Sequence, residues 1–95
     1  MDTVTPRSTV YSAIDNERNY QDRLWNPETT PSGGQHPVGS WLTFMRSYLR
    51  EAEEQISRGA DPEASHASLH TIRKITAMGV ACMEQHGAPR RDEPK

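Results

Sequence analysis

The stretch Trp41 to Ile56, WLTFMRSYLREAEEQI, decides the fold. Trp41, Leu42, Met45, Tyr48, Leu49, Ala52 and Ile56 recur at spacings of three and four, the period that puts side chains on one face of an α-helix. Phe44 widens the stripe, and Arg46, Arg50, Glu53, Glu54 and Arg58 take the other side, where pairs such as Arg50–Glu54 can support the helix. Ser40 precedes the run and is the expected cap, its hydroxyl accepting from first-turn amides. Gly59 follows it and stops it. This second helix is predicted over Trp41 to Arg58.

Just beyond lies Asp61-Pro62-Glu63, a start signal made of a capping acid, a first-turn proline and an acid at the positive end of the helix dipole. It opens a third helix, predicted over Pro62 to His86. Leu69, Ile72, Ile75, Met78, Val80, Cys82 and Met83 cover more than one of its faces, so it should touch two partners. Gly79 in mid-helix costs about 1 kcal/mol relative to alanine, which the close approach of another helix would explain. Gly87 and Pro89 end the helix, and residues 88–95 form a charged tail.

Upstream, a first helix is predicted over Thr9 to Trp25, capped by Ser8 or Thr9, after a frayed lead over residues 1–7. Its stripe of Val10, Ile14, Glu17, Gln21 and Leu24, with Tyr20 beside it, is too weak to stand alone. Residues 26–38, NPETTPSGGQHPV, hold three prolines and two glycines and read as a long exposed loop. Loops of this length in small chains often carry function. The expected architecture is all-α: a short N-terminal helix, a Pro/Gly-rich loop and a long antiparallel helix pair, with residues 1–95 forming one helical domain.

Composition narrows the function. The chain has 95 residues, 33% of them hydrophobic, and a mean hydropathy of -0.90. One cysteine, Cys82, rules out an internal disulfide, and no Cys/His spacing fits a structural zinc site. Oligomerisation is the remaining route to stability, because each chain borrows a neighbour's apolar surface. A net charge of -2 argues against duplex DNA or RNA, which calls for a basic excess. No apolar run approaches the roughly 20 residues of a membrane span, no secretion signal opens the chain, and the lone thiol fits a reducing cytoplasm.

Four constellations could carry chemistry. His66 and His70 share a helix face and suit a metal with Glu63 below, but a solvated polar face is the plainer reading, and no metal is expected. Glu51, Glu53, Glu54 and Glu84 offer carboxylates of the sort that hold magnesium, yet the third helix lacks a paired acidic motif. No serine stands in a nucleophile motif, and Cys82 reads as an inert core thiol. Arg73-Lys74 interrupts the apolar run of the third helix, and a ring of Arg73 about a symmetry axis would grip phosphate. Tyr11, Tyr20, Trp25 and His36 are flat rings that can stack on bases. They stand near a loop whose Thr29, Thr30, Ser32, Gly33 and Gly34 offer donors to phosphate oxygens.

The run Glu17-Arg18-Asn19-Tyr20-Gln21-Asp22, Trp25, the segment His36-Pro37-Val38-Gly39-Ser40-Trp41-Leu42 and the ending Gly79-Val80-Ala81-Cys82-Met83-Glu84-Gln85-His86-Gly87 together resemble a family of small bacteriophage proteins, among them the anti-CBASS sponges of the second type. The resemblance spans roughly residues 15–87. It implies a helical hexamer of interlocked dimers, in the cytoplasm of the infected host, that binds cyclic dinucleotide messengers such as cGAMP without cleaving them and so starves the immune effector. Cyclic trinucleotides would occupy a separate, threefold-related site. By this resemblance Tyr20 stacks on a purine, Gln35 or His36 of a neighbouring chain closes over it, Thr29 and Thr30 meet the phosphates, and Arg73 serves the second site. The relatives are expected to hold a lysine near the loop's end, where this chain has Gln35 and His36. The same residues also resemble the MazG-type helical pyrophosphatases, which implies a magnesium-dependent enzyme. A helical adaptor binding a host protein is the third alternative. With no convincing catalytic group, a non-enzymatic binder is the leading expectation.

Overall fold

The computed structural model describes residues 4–58 and 62–92. Within them the chain forms three helices and no strand: α1 (Pro6–Leu24), α2 (Val38–Ser57) and α3 (Pro62–His86). No helix there is long and apolar enough to cross a membrane. α1 and α2 each pack against α3 and not against one another, so the two partners expected for α3 are found within one chain. The bounds of α3 coincide with those expected. The Gly59 stop, the Asp61 cap and the last three residues of the tail lie outside the described residues.

Both other helices begin earlier than expected. α1 starts at Pro6, not Thr9, and the supposed lead is partly helical. Thr5 Oγ1 accepts from the Ser8 amide while Ser8 Oγ accepts from the Thr5 amide, each at 3.0 Å, with proline in the first turn. This reciprocal capping box uses serine where glutamate is usual. α2 starts at Val38, and its cap is Pro37, with no side-chain hydrogen bond. The Pro37 carbonyl accepts from the Ser40 and Trp41 amides at 3.1 and 3.2 Å, so Ser40 lies within the first turn. Proline's ring fixes its φ, here -63°, so only ψ has to be set for that carbonyl to meet the two amides. Glu54 pairs with Arg58 at 3.5 Å, both side chains exposed; this is the pair found one turn on from the expected Arg50–Glu54.

The α2–α3 contact holds the core. Trp41 is 1% exposed and packs on Met78 and Ala81, with Trp25, Met45, Tyr48 and Cys82 around it. Farther along, the Ser68 hydroxyl donates to the Ala52 carbonyl at 2.9 Å, and the Thr71 hydroxyl to Gln55 Oε1 at 2.9 Å. The α1–α3 contact is mostly polar. Ile14, Glu17 and Gln21 are its buried residues on α1. Glu17 Oε1 accepts from Arg73 Nε at 2.8 Å, and Arg18 Nε donates to Glu84 at 2.6 Å and Nη2 to Asp22 at 2.8 Å. Burial opposes the charge on Arg18, but the hydrogen bonds to Glu84 and Asp22 outweigh it and hold the guanidinium above its ordinary pKa.

Much apolar surface stays open. Val10, Leu24, Leu42, Leu49, Ile56, Leu69, Ile72 and Met83 are each about half exposed. Within the chain, Gly79 does not mark a close helix approach: a Cβ there would meet only the Met45 methyl at 3.6 Å, an ordinary contact.

Candidate functional site

Two regions gather the chemistry. The first is the loop between α1 and α2, which is a scaffold of turns. Asn26 organises its first half: its Oδ1 accepts from the Glu28 and Thr29 amides at 2.8 and 3.1 Å, and its Nδ2 donates to the Arg23 carbonyl at 3.0 Å. Thr29 Oγ1 donates to the Leu24 carbonyl at 2.6 Å, and Thr30 Oγ1 to the Asn26 carbonyl at 3.2 Å. Both hydroxyl protons are therefore committed, one to the end of α1 and one within the loop, so these two threonines would offer a phosphate acceptors and not donors. Side-chain turns of this kind let Asn and Thr replace regular backbone pairing.

Gly33 and Gly34 have φ of +61° and +82°, the left-handed region glycine adopts freely. At Gly34 a Cβ would stand 2.9 Å from the Trp25 carbonyl oxygen. The loop's second half is tied to the end of α3. Gln85 Nε2 donates to the Gly34 carbonyl at 2.8 Å, and its Oε1 accepts from the His36 amide and from Trp41 Nε1, each at 3.1 Å. His86 Nε2 lies 2.7 Å from the His36 carbonyl, a geometry that makes it the donor.

These ties stand the His36 ring edge-on to Trp41 and to Phe44, with centroids 5.1 Å apart in each pair, and set Trp25 6.3 Å from Trp41. Between the rings is a half-open cavity of about 250 Å³, walled by Trp25, His36, Trp41, Phe44 and Tyr48, with Thr30, Ser32 and Gly34 at its edge and Met78 beneath. Gln35 lies on the loop's other side, in a polar hollow with Arg18, Asp22 and Glu84.

The second region is an open cleft of about 640 Å³ along α1, lined by Thr9, Ser12, Asn16, Glu17, Tyr20, Arg23 and Arg73. Tyr20 is 51% exposed, so its ring is free to stack. Arg73 is half-buried and is not a bare cation. Its Nε is paired with Glu17, and Nη1 contacts His70 Nδ1.

Of the residues predicted as site members, the structure brings Tyr20 and Arg73 to one cleft and His36 and Thr30 to the aromatic cavity. Gln35 stands apart from both. Tyr11 projects from α1, 66% exposed, and does not line the cleft. Lys74 is half-buried, and its carbonyl accepts from Gln21 Nε2 at 3.4 Å. Asn16, Arg23, Phe44 and Gln85 were not anticipated. Arg23 could have been inferred, being three residues from Tyr20 on the same helix and so its neighbour. Gln85 carries no such signal, because its partners are 44 to 51 residues away.

The α2 and α3 acids do not converge. Glu84 is bound to Arg18 and Glu54 to Arg58, and among the described residues no group of three His, Cys, Asp or Glu side chains comes together around a common point. Comparison with protein-family models, with curated proteins and with solved structures returns no match for this chain.

Proposed function

We propose that this chain binds and sequesters cyclic dinucleotide messengers, and cyclic trinucleotides at a further site, without cleaving them, and that it serves as a phage immune-evasion protein. The observation that carries the reading is the α1 cleft: an exposed tyrosine ring and two arginines, Arg23 and Arg73, on one open surface. Its volume of about 640 Å³ is in the range of small-ligand sites, roughly 300–1,000 Å³. Tyrosine supplies a stacking plate for a base, and guanidinium forks suit phosphate oxygens. The one carboxylate among the lining residues, Glu17, is paired with Arg73, so the pair is close to neutral and Arg23 supplies the net positive charge that an incoming anion meets.

The same chain works as an oligomer in this reading. The half-exposed leucines, isoleucines and Met83 on all three helices are the surface a second copy would cover, and pockets shared between copies would put a neighbour's loop over the cleft. Sequestration asks for affinity and copy number, not for a reactive group. The pyrophosphatase alternative needs α2 and α3 to bring acids together, and the observed pairing of Glu84 with Arg18 draws one of them aside.

The deciding experiment is calorimetric titration of the purified protein with a cyclic GMP–AMP dinucleotide, with and without magnesium, followed by chromatographic recovery of the ligand. Tight binding with the ligand returned intact supports the sponge. Absence of heat, or recovery of hydrolysed product, overturns it.

A further inference from the structure

α3 carries a second arrangement that the nucleotide reading leaves unused. His66 and His70 are one turn apart, and their rings meet edge to face, with centroids 4.7 Å apart at 89°. Their Nε2 atoms lie 3.2 Å from each other. With metal–nitrogen bonds of about 2.0–2.1 Å, two nitrogens at that separation subtend about 100–106° at a shared ion, close to tetrahedral. Both residues are exposed, so water can reach the ion and complete its shell.

The hydrogen-bond order tells how the pair stands without an ion. Arg73 can only donate, so His70 Nδ1, which it contacts, is the acceptor and His70 carries its hydrogen on Nε2. That hydrogen points at His66 Nε2. The result is a chain running from Glu17 through Arg73 and His70 to His66, in which the first link is Arg73 Nε to Glu17 at 2.8 Å.

We propose that His66 and His70 form a two-imidazole binding site for a divalent transition ion of the kind that favours nitrogen, Zn²⁺ or Ni²⁺, independently of any nucleotide. Imidazole suits these ions, and i, i+4 placement on a rigid helix removes most of the cost of bringing the ligands together. The ion takes the Nε2 lone pair of each ring. On His70 the proton must then move to Nδ1, where it no longer accepts from Arg73. The ion and Arg73 therefore compete for His70. Ion binding frees one arm of the guanidinium at the edge of the α1 cleft, while Glu17 keeps the other.

The test is calorimetric titration of the full chain with zinc chloride and, separately, nickel chloride, in a buffer that does not chelate. One ion per chain is expected. His66→Ala and His70→Ala should each weaken it by about tenfold or more, at least as much as the loss of an orienting partner costs a metal site. Circular dichroism should show both variants as helical as the wild type, since neither ring is buried. Arg73→Gln removes the competitor and a nearby positive charge, and should tighten ion binding. No binding by the wild type, or unchanged binding by the doubly substituted His66→Ala/His70→Ala chain, overturns the site. Unchanged or weaker binding by Arg73→Gln overturns the competition.

Discussion

The side-chain oxygen of Gln85 lies 3.1 Å from the indole nitrogen of Trp41 and accepts its hydrogen, although Trp41 is the most deeply buried large side chain of the described residues. The same oxygen receives the His36 amide, and the same side chain's nitrogen reaches the Gly34 carbonyl. One residue near the end of α3 thus satisfies a buried donor and pins the loop between α1 and α2. Gln85→Leu strands the indole N–H and should cost about 1–3 kcal/mol for that group, read as a lower urea midpoint. Gln85→Glu keeps the acceptor and loses the donor, and should fall between the two. A midpoint equal to wild type for Gln85→Leu would mean the loop holds without this tie.

Gly34→Ala should be harmful for a different reason. Its φ of +82° and the 2.9 Å approach to the Trp25 carbonyl leave no room for a methyl group. Forcing a non-glycine residue into such backbone costs about 1–3 kcal/mol before the clash is counted. The expected result is a lower melting temperature, with a far-ultraviolet spectrum that keeps its helical shape. Gly33→Ala should be milder, because its nearest contact is the Pro27 ring at 3.3 Å.

Gly79→Ala should do the reverse. The position is helical and open, and alanine gains about 0.5–1 kcal/mol in a helix interior. A higher melting temperature is expected at every protein concentration. A lower one, or a shift to smaller species in sedimentation, would show that this part of α3 closes against another copy.

Tyr20→Ala tests the proposed function. Stacking of a base on an aromatic ring contributes about 1–3 kcal/mol, or about 5- to 150-fold in affinity. Loss of that size in cyclic dinucleotide binding, with Tyr20→Phe retaining it and Tyr11→Ala unaffected, is the expected pattern. Equal binding by Tyr20→Ala would remove this ring from the site.

Parts of this structure were plain from the chain and others were not, and the division has a physical basis. α3 is bounded by strong punctuation at Pro62 and Gly87, and its bounds are as expected. α1 begins earlier than its pattern announces because Thr5-Pro6-Arg7-Ser8 uses a serine to close the capping box. Glu17 and Gln21 were counted within the packing stripe of α1 by position, and burial there is explained by polar partners on α3. The loop was expected to expose threonine donors. Their commitment to Leu24 and Asn26 is a property of folded turns, which residue type alone does not specify. The Glu17–Arg73 pair joins residues 56 positions apart, and no local pattern announces it. That pairing changes what Arg73 offers: a partly neutralised fork, held in place before any ligand arrives.

The two tryptophans of the chain stand against each other at the loop, one at the end of α1 and one in the first turn of α2. Excited at the red edge, where tyrosine does not absorb, the molecule therefore emits from one place. A change in the colour or intensity of its fluorescence reports on the loop and the aromatic cavity, while events confined to the Tyr20 cleft or to His66 and His70 should leave it unaltered. In one unlabelled protein, binding at the loop can be told from binding at either of the other two regions by whether the light changes.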